Sequence, residues 1–405
     1  MPIWEKWKEK IHKWLFKRQP EQEVVPESCS SPLAKLVSYE VLDRHSDSRF
    51  WSWTERIGGK HSRLSQEKFI PEIEWRDEEI VRHFQSSRPS SCEVLLHYLS
   101  PAKQSTANPI LLIHGAGHHA NLAWCESAQQ EKGLIYTLHS SGRDIFAVTF
   151  AHPHGDNWQQ AIQLSNVIHR IKGIVQAEKI DVVSHSKGGI AAWLYLSGLC
   201  QSFGAPYQGE VERYFMLGTP NRGLDFPFRN VAANWSVVEL GINAPIACDS
   251  MLYYGRYIDT TERSLYNGSA FPGSSQLLMR WDERYPVNTQ AKTLYYGGQN
   301  LFLHSRGINA AIMDGGHLME TLLKSPIDPD IKIHALAGNN AYFQGIKGEQ
   351  DGDSDGLVFV ESVLFTEGIA SDPKQVLRKD VLPLNHLELL YHPVAYQWIL
   401  KGLTE

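Results

Sequence analysis

The sequence predicts an α/β fold: a mostly parallel sheet with helices on both faces and an inserted cap over the strand ends. Three observations carry this. From residue 92 onward, apolar runs of strand length alternate with segments of helical period. One run, Ile180 to Val183, passes at once into Ser184-His185-Ser186-Lys187-Gly188 and a helical segment of small residues. Residues 218–326 then break the alternation with an aromatic stretch of irregular period, too long for a simple loop.

At 405 residues the chain can hold one large domain with an insertion, or two domains. Apolar content of 42% and charged content of 21% suit a soluble globular protein. A formal net charge of −6 gives no pull toward nucleic acid, and no such partner is expected. Cys29, Cys92, Cys125, Cys200 and Cys248 are odd in number and lack a Cys-x-x-Cys pair. That argues against a disulfide framework and a zinc site alike. No run approaches the length of a membrane-spanning helix. The N-terminus lacks the unbroken apolar core of a secretory signal, so the sequence predicts a cytoplasmic protein.

In order along the chain, Ile3, Trp4, Trp7, Ile11, Trp14 and Leu15 recur at helical spacing, with Lys6, Lys8, Lys10, Lys13, Lys17 and Arg18 on the rest of the surface. Such a basic amphipathic helix over residues 2–18 suits peripheral contact with an anionic membrane; the same stripe would also suit packing on the protein's own fold. A polar, proline-bearing linker follows, closing a segment of residues 1–32. Residues 33–91 read as an N-terminal extension, with a strand at Tyr39 to Leu42 and aromatics without period at Phe50 to Ile57.

The α/β core is expected over residues 92–217 and 327–405. Glu93 to Leu99, Pro109 to Ile113, Asp144 to Phe150 and Tyr214 to Leu217 read as strands. Asp156 or Asn157 caps a helix in which Trp158, Ile162, Val167, Ile168, Ile171 and Val175 share a face. Residues 218–326 form the cap. Ile331 to Leu336 resumes a strand, and Pro393 to Leu403 suits a closing helix.

The stretch around Ser186 has the pattern of a nucleophile elbow, in which a strand turns sharply into a helix and exposes a serine oxygen at the apex. The neighbours must be small, because bulky side chains two residues either side would strike strand and helix. Gly188 fits; Ser184 stands where glycine is usual. Serine is a weak nucleophile until a base takes its proton, and the oxyanion it forms needs donors. His114-Gly115-Ala116-Gly117 after an early strand supplies a turn whose Ala116 amide can pair with that of Lys187. That glycine spacing fits neither a dinucleotide fingerprint nor a P-loop.

Among 18 histidines, His386 lies in a late turn just before the last helix, where the base is expected. His334 sits inside a strand-like run and reads as structural, with His317 and His392 as fallbacks. His118, His119, His152 and His154 lack metal-ligand spacing, and no metal is called for. Asp355 is the favoured orienting acid, with Asp351 and Asp353 as alternatives. Asp351-Gly-Asp353-Ser-Asp355-Gly356 also looks like a calcium loop, but its twelfth position is Ser362, with Glu361 one place early.

Taken together, Ile113-His114-Gly115, Ser184-His-Ser186-Lys-Gly188, Leu217-Gly-Thr-Pro220-Asn-Arg-Gly223, Ser354-Asp355-Gly-Leu-Val358 and Asn385-His386-Leu387-Glu388 make the chain resemble a bacterial lipase or esterase of the α/β-hydrolase superfamily, over roughly residues 92–400. The resemblance implies Ser186, Asp355 and His386 as a catalytic triad, Ala116 and Lys187 as oxyanion amides, and no cofactor. Some relatives hold a structural calcium through an aspartate two residues after the histidine; here that residue is Glu388. The expected activity is cleavage of a hydrophobic ester or lipid through an acyl-enzyme. Acyl transfer, thioester hydrolysis and polyester depolymerisation use the same triad, and a membrane-bound scaffold without catalysis is the rival outside enzymology.

Overall fold

A nine-stranded sheet forms the centre of the protein among the described residues. The computed structural model describes residues 39–60, 65–101, 107–126, 133–343 and 346–405; the helix expected over residues 2–18 and its linker lie outside them. In chain order the strands are β1 (Tyr39–His45), β2 (Trp53–Gly59), β3 (Glu93–Leu99), β4 (Ile110–Ile113), β5 (Ile145–Phe150), β6 (Ile180–His185) and β7 (Val211–Leu217). The cap follows with β8 (Ser250–Tyr253), β9 (Arg256–Asp259), β10 (Gly298–Gln299) and β11 (Leu303–Ser305). Then come β12 (Lys332–Gly338), a hairpin of β13 (Tyr342–Phe343) with β14 (Ile346–Lys347), and β15 (Val376–Leu382). The central order is β1-β2-β3-β5-β4-β6-β7-β12-β15, parallel from β5 to β15 and antiparallel from β1 to β5.

Strands β4, β5 and β6 are buried at every position, as parallel strands covered on both faces must be. Their alternate residues feed two separate cores. Leu111, Phe146, Val148 and Val182 pack with the helices Asn157–Val175 and Lys187–Leu196. Ile110, Leu112, Ala147 and Val183 pack with Leu134–His139 and Pro393–Gly402. The helix Asn157–Val175 starts where the sequence expects, with the Asp156 carboxylate accepting the amides of Trp158 (2.8 Å) and Gln159 (3.1 Å), a cap that stabilises a helix by about 1 kcal/mol.

The structure makes two of the expected boundaries more definite. In the N-terminal extension the strand expected at Tyr39 to Leu42 is β1, and β1 and β2 continue the central sheet beyond β3. The buried Glu55 on β2 receives a two-pronged ion pair from Arg170 of the long helix, at 2.8 and 2.7 Å, which ties this edge to the main body. The cap's own core runs from Phe228 to Ala311, but Leu318, Met319 and Leu322 pack in the main core, so the insertion ends earlier than residue 326.

Candidate active site

Ser186 sits between β6 and the helix Lys187–Leu196 with φ 52° and ψ −130°. A non-glycine residue at positive φ is strained, and the surroundings hold it there. Its amide donates to the Leu217 carbonyl of β7 at 2.9 Å. Ser184 replaces glycine without cost because its hydroxyl turns into the sheet and donates to the Phe215 carbonyl at 2.9 Å. At Gly188 a Cβ would lie 2.3 Å from the His114 carbonyl oxygen, so only glycine lets this helix approach the end of β4.

Of the three candidate acids, the structure brings Asp355 to His386. The imidazole Nδ1 donates to Asp355 Oδ2 at 2.7 Å, and both side chains are buried. The other carboxylate oxygen accepts the amides of Leu357 (3.0 Å) and Val358 (2.9 Å), and the His386 amide donates to the Asp355 carbonyl at 2.8 Å. With Nδ1 committed as donor, Nε2 is the nitrogen left to accept a proton. Asp351 is occupied elsewhere, its Oδ2 accepting from Arg229 at 3.0 Å.

The elbow and the His–Asp pair meet at the C-terminal ends of β6 and β7. His185, beside Ser186, donates from Nε2 to the His386 carbonyl at 3.0 Å, and the two rings lie 4.7 Å apart. A Cβ on Gly218 would come within 3.1 Å of the His386 ring, and Gly218 directly follows the Leu217 that holds Ser186. Gly115 packs on the other side, where a Cβ would lie 2.9 Å from that of Ser186. Ala116 and Ser186 line one cavity. Lys187 opens its helix, so its amide is among those an α-helix leaves without an internal partner. His114 is fixed as the neutral Nδ1–H tautomer: Nδ1 donates to the Gly115 carbonyl (2.7 Å) while Nε2 accepts the Phe150 amide (3.2 Å).

Several residues around the site escaped sequence reasoning. The Lys187 side chain is buried and donates to Gln160 Oε1. Burial pulls its ammonium down to about 7, opposed by the nearby Glu67 and Asp156 charges. Glu67 is pushed up to about 7 by the same burial, and accepts the Asp156 amide. The pair is thus driven toward its neutral forms. Glu67 comes from the N-terminal segment, which supplies part of the elbow's surroundings. No local signal marks it, since its partners are roughly a hundred positions away.

The remaining histidines act separately. His118 donates to the Ala116 carbonyl (2.9 Å) and His152 to the Lys68 carbonyl (2.9 Å), while His154 bonds Asn243 of the cap at 2.7 Å. His119 meets Trp75 edge-on. His334 stacks on Phe215 at 4.3 Å, His317 faces Glu320, and His392 caps the last helix. Asp351 and Asp355 are engaged as described, and Glu388 accepts the Asn385 amide of its own turn at 2.7 Å.

A cavity of about 230 Å³ opens at Ser186 and runs under the cap between Leu224, Phe226, Val237, Leu265, Leu277 and Leu278. Its walls are mostly apolar, with His154, Asn234, Asn243 and Ser274 among them. A larger cavity of about 370 Å³ is lined by Arg229, Glu349 and Asp351 and excludes Ser186.

Residues 107–277 match the family model described as lipase (class 2). That segment carries Ala116, Ser186 and Lys187 and ends before Asp355 and His386. Among solved structures, the chain is similar to a mature lipase of Bacillus licheniformis (17% identity, 76% of this chain and 97% of that one, TM-score 0.43). It is also similar to a carboxyl esterase of Bacillus coagulans solved with glycerol (13% identity, 77% and 92%, TM-score 0.39). A third is a monoacylglycerol lipase of Paleococcus ferrophilus (14% identity, 76% and 98%, TM-score 0.36). The mostly parallel sheet and the serine at the strand–helix elbow have the arrangement of the α/β-hydrolase fold, and over residues 107–277 the chain is similar to class 2 lipases.

Proposed function

We propose that the chain cleaves hydrophobic carboxylic esters through an acyl-enzyme on Ser186. The observation that carries this is the buried 2.7 Å pair of His386 Nδ1 and Asp355 Oδ2, held against the elbow by His185. In this reading His386 Nε2 takes the Ser186 proton as Oγ attacks the ester carbonyl, and Asp355 stabilises the imidazolium that forms. The amides of Ala116 and Lys187 receive the oxyanion. The tetrahedral intermediate collapses, His386 returns its proton to the departing alcohol, and water then attacks the acyl-enzyme with His386 again as base.

The apolar walls beside Ser186 favour an acyl chain, which gains about 25 cal/mol for each Å² of apolar surface buried. At about 230 Å³ the cavity is below the roughly 300–1,000 Å³ of sites that enclose a whole drug-sized ligand, so it suits one acyl chain with the alcohol outside.

Ser186→Ala is expected to bring p-nitrophenyl ester turnover down to within about 10³–10⁴-fold of the uncatalysed rate, with an unchanged circular dichroism spectrum. Turnover retained near the wild-type rate would assign the nucleophile elsewhere. We further propose that residues 2–18 hold the enzyme on anionic membrane surfaces, on the strength of their tryptophan and lysine pattern. Deleting residues 1–18 should lower binding to phosphatidylserine-containing vesicles and leave turnover of a soluble ester unchanged.

A further inference from the structure

Far along the sheet from the elbow, the end of β1 meets the helix Glu78–Phe84. His45 closes β1, Asp47 lies two residues on, and His83 projects from the helix. One ligand-capable atom from each of the three lies within 4.8 Å of the others. His83 is fully buried, and among the described residues neither of its ring nitrogens has a hydrogen-bond partner; His45 Nε2 is likewise buried and unpaired among them. Buried polar groups are almost always paired, so three unpaired imidazole nitrogens in one place call for a ligand. The rings stack at 4.5 Å, and Asp47 Oδ1 stands 3.6 Å from His83 Nε2, beyond hydrogen-bond length.

The charges around this point are otherwise settled. Arg82 holds the other Asp47 oxygen at 3.1 Å, which leaves Oδ1 facing His83. The Glu79 carboxylate is taken by Ser48, Arg49 and Asn121. Burial lowers the His83 pKa, so its ring stays neutral with a lone pair to offer.

We propose that His45, Asp47 and His83 bind a divalent first-row transition-metal ion, with zinc the best match, that ties the β1–β2 connection to the helix Glu78–Phe84. Two imidazoles and a carboxylate suit zinc rather than calcium or magnesium, which take oxygen donors. Zinc bonds of about 2.0–2.2 Å bring the donors closer than they now stand, and the exposed Asp47 side chain is free to close that gap. Three protein ligands leave a fourth position for water on the exposed Asp47 side. None of the three lines the cavity at Ser186, so the ion is a staple of the N-terminal strands, and the site stands independently of the ester chemistry.

The test uses the full chain without an affinity tag, stripped with chelator and titrated with Zn²⁺ by calorimetry and with Co²⁺ by visible absorption. One equivalent should bind, with the strong visible bands of four-coordinate cobalt, and Zn²⁺ should raise Tm. Asp47→Asn lies at the surface and His45→Gln at a half-buried position at the end of β1, and both keep the fold. Each should weaken binding by about tenfold or more and remove the Tm increment, with ester turnover unchanged. His83→Gln should do the same, and if it fails to fold the other two variants decide. Failure to bind one equivalent of either ion, or equal affinity in the wild type and the Asp47→Asn and His45→Gln variants, overturns the site.

Discussion

Asp355→Asn is expected to lower kcat for ester hydrolysis by about 10⁴-fold with little change in KM. The effect is large because Asp355 does two things at once. One oxygen accepts the His386 Nδ1 proton while the other accepts two backbone amides. An asparagine that keeps the amide bonds turns its NH₂ toward Nδ1. The ring then has to carry its proton on Nε2, the nitrogen that in the proposed mechanism accepts one from Ser186. Substrate contacts are untouched, so the loss falls on the chemical step. Asp351→Asn and Asp353→Asn are the controls and should keep turnover within a few-fold of wild type. Steady-state kinetics with p-nitrophenyl butyrate checks all three; a loss confined to Asp351→Asn or Asp353→Asn would transfer the role.

Acidification is expected to be the strongest stress on the fold. Burial holds His114 and His154 down to about 3, and His119, His152 and His334 down to about 4. Unfolded histidines titrate near 6.5. A folded pKa below the unfolded one means that the unfolded chain binds more protons, so this stability is present above about 6.5 and is lost as pH falls through the interval to about 4. Glu67 and Glu349 act in the opposite sense, since burial raises both to about 7 and their penalty eases as pH falls toward 4.5. His83, His97, His118 and His185 are lowered in the same way, so the histidines outnumber the two glutamates and unfolding takes up protons over this interval. Stability therefore falls as pH drops from about 6.5 to 5, and a domain held by only ~5–15 kcal/mol is sensitive to such a loss. Urea midpoints at pH 7, 6 and 5 measure it; a constant midpoint would mean that the buried rings find counter-charges in the acid fold.

Much of this site was readable before any coordinates because each part is local. The elbow needs a strand, a serine and small neighbours within a few residues, and the loop at Gly115 needs a strand and two glycines. The order of Ser186, Asp355 and His386 along the chain did the rest. What stayed hidden depends on partners far away in sequence. Strand β15 alternates exposed and half-buried positions, as an edge strand does, and its charged face masked it. Strands β1 and β2 carry Glu55 and Arg44 inward or along the edge, so their pattern does not read as a core. The buried destination of the Lys187 side chain depends on Glu67 and Gln160, and a lysine on paper reads as surface. His45, Asp47 and His83 have no spacing that marks a metal site, and only the burial of His83 without partners draws the eye to them.

Labelling with a fluorophosphonate probe, followed by peptide mass spectrometry, tests the serine chemistry most directly. One adduct is expected, on Ser186, absent from Ser186→Ala and strongly slowed in His386→Ala. An adduct on another serine, or an unlabelled wild-type enzyme that still turns over esters, would contradict it.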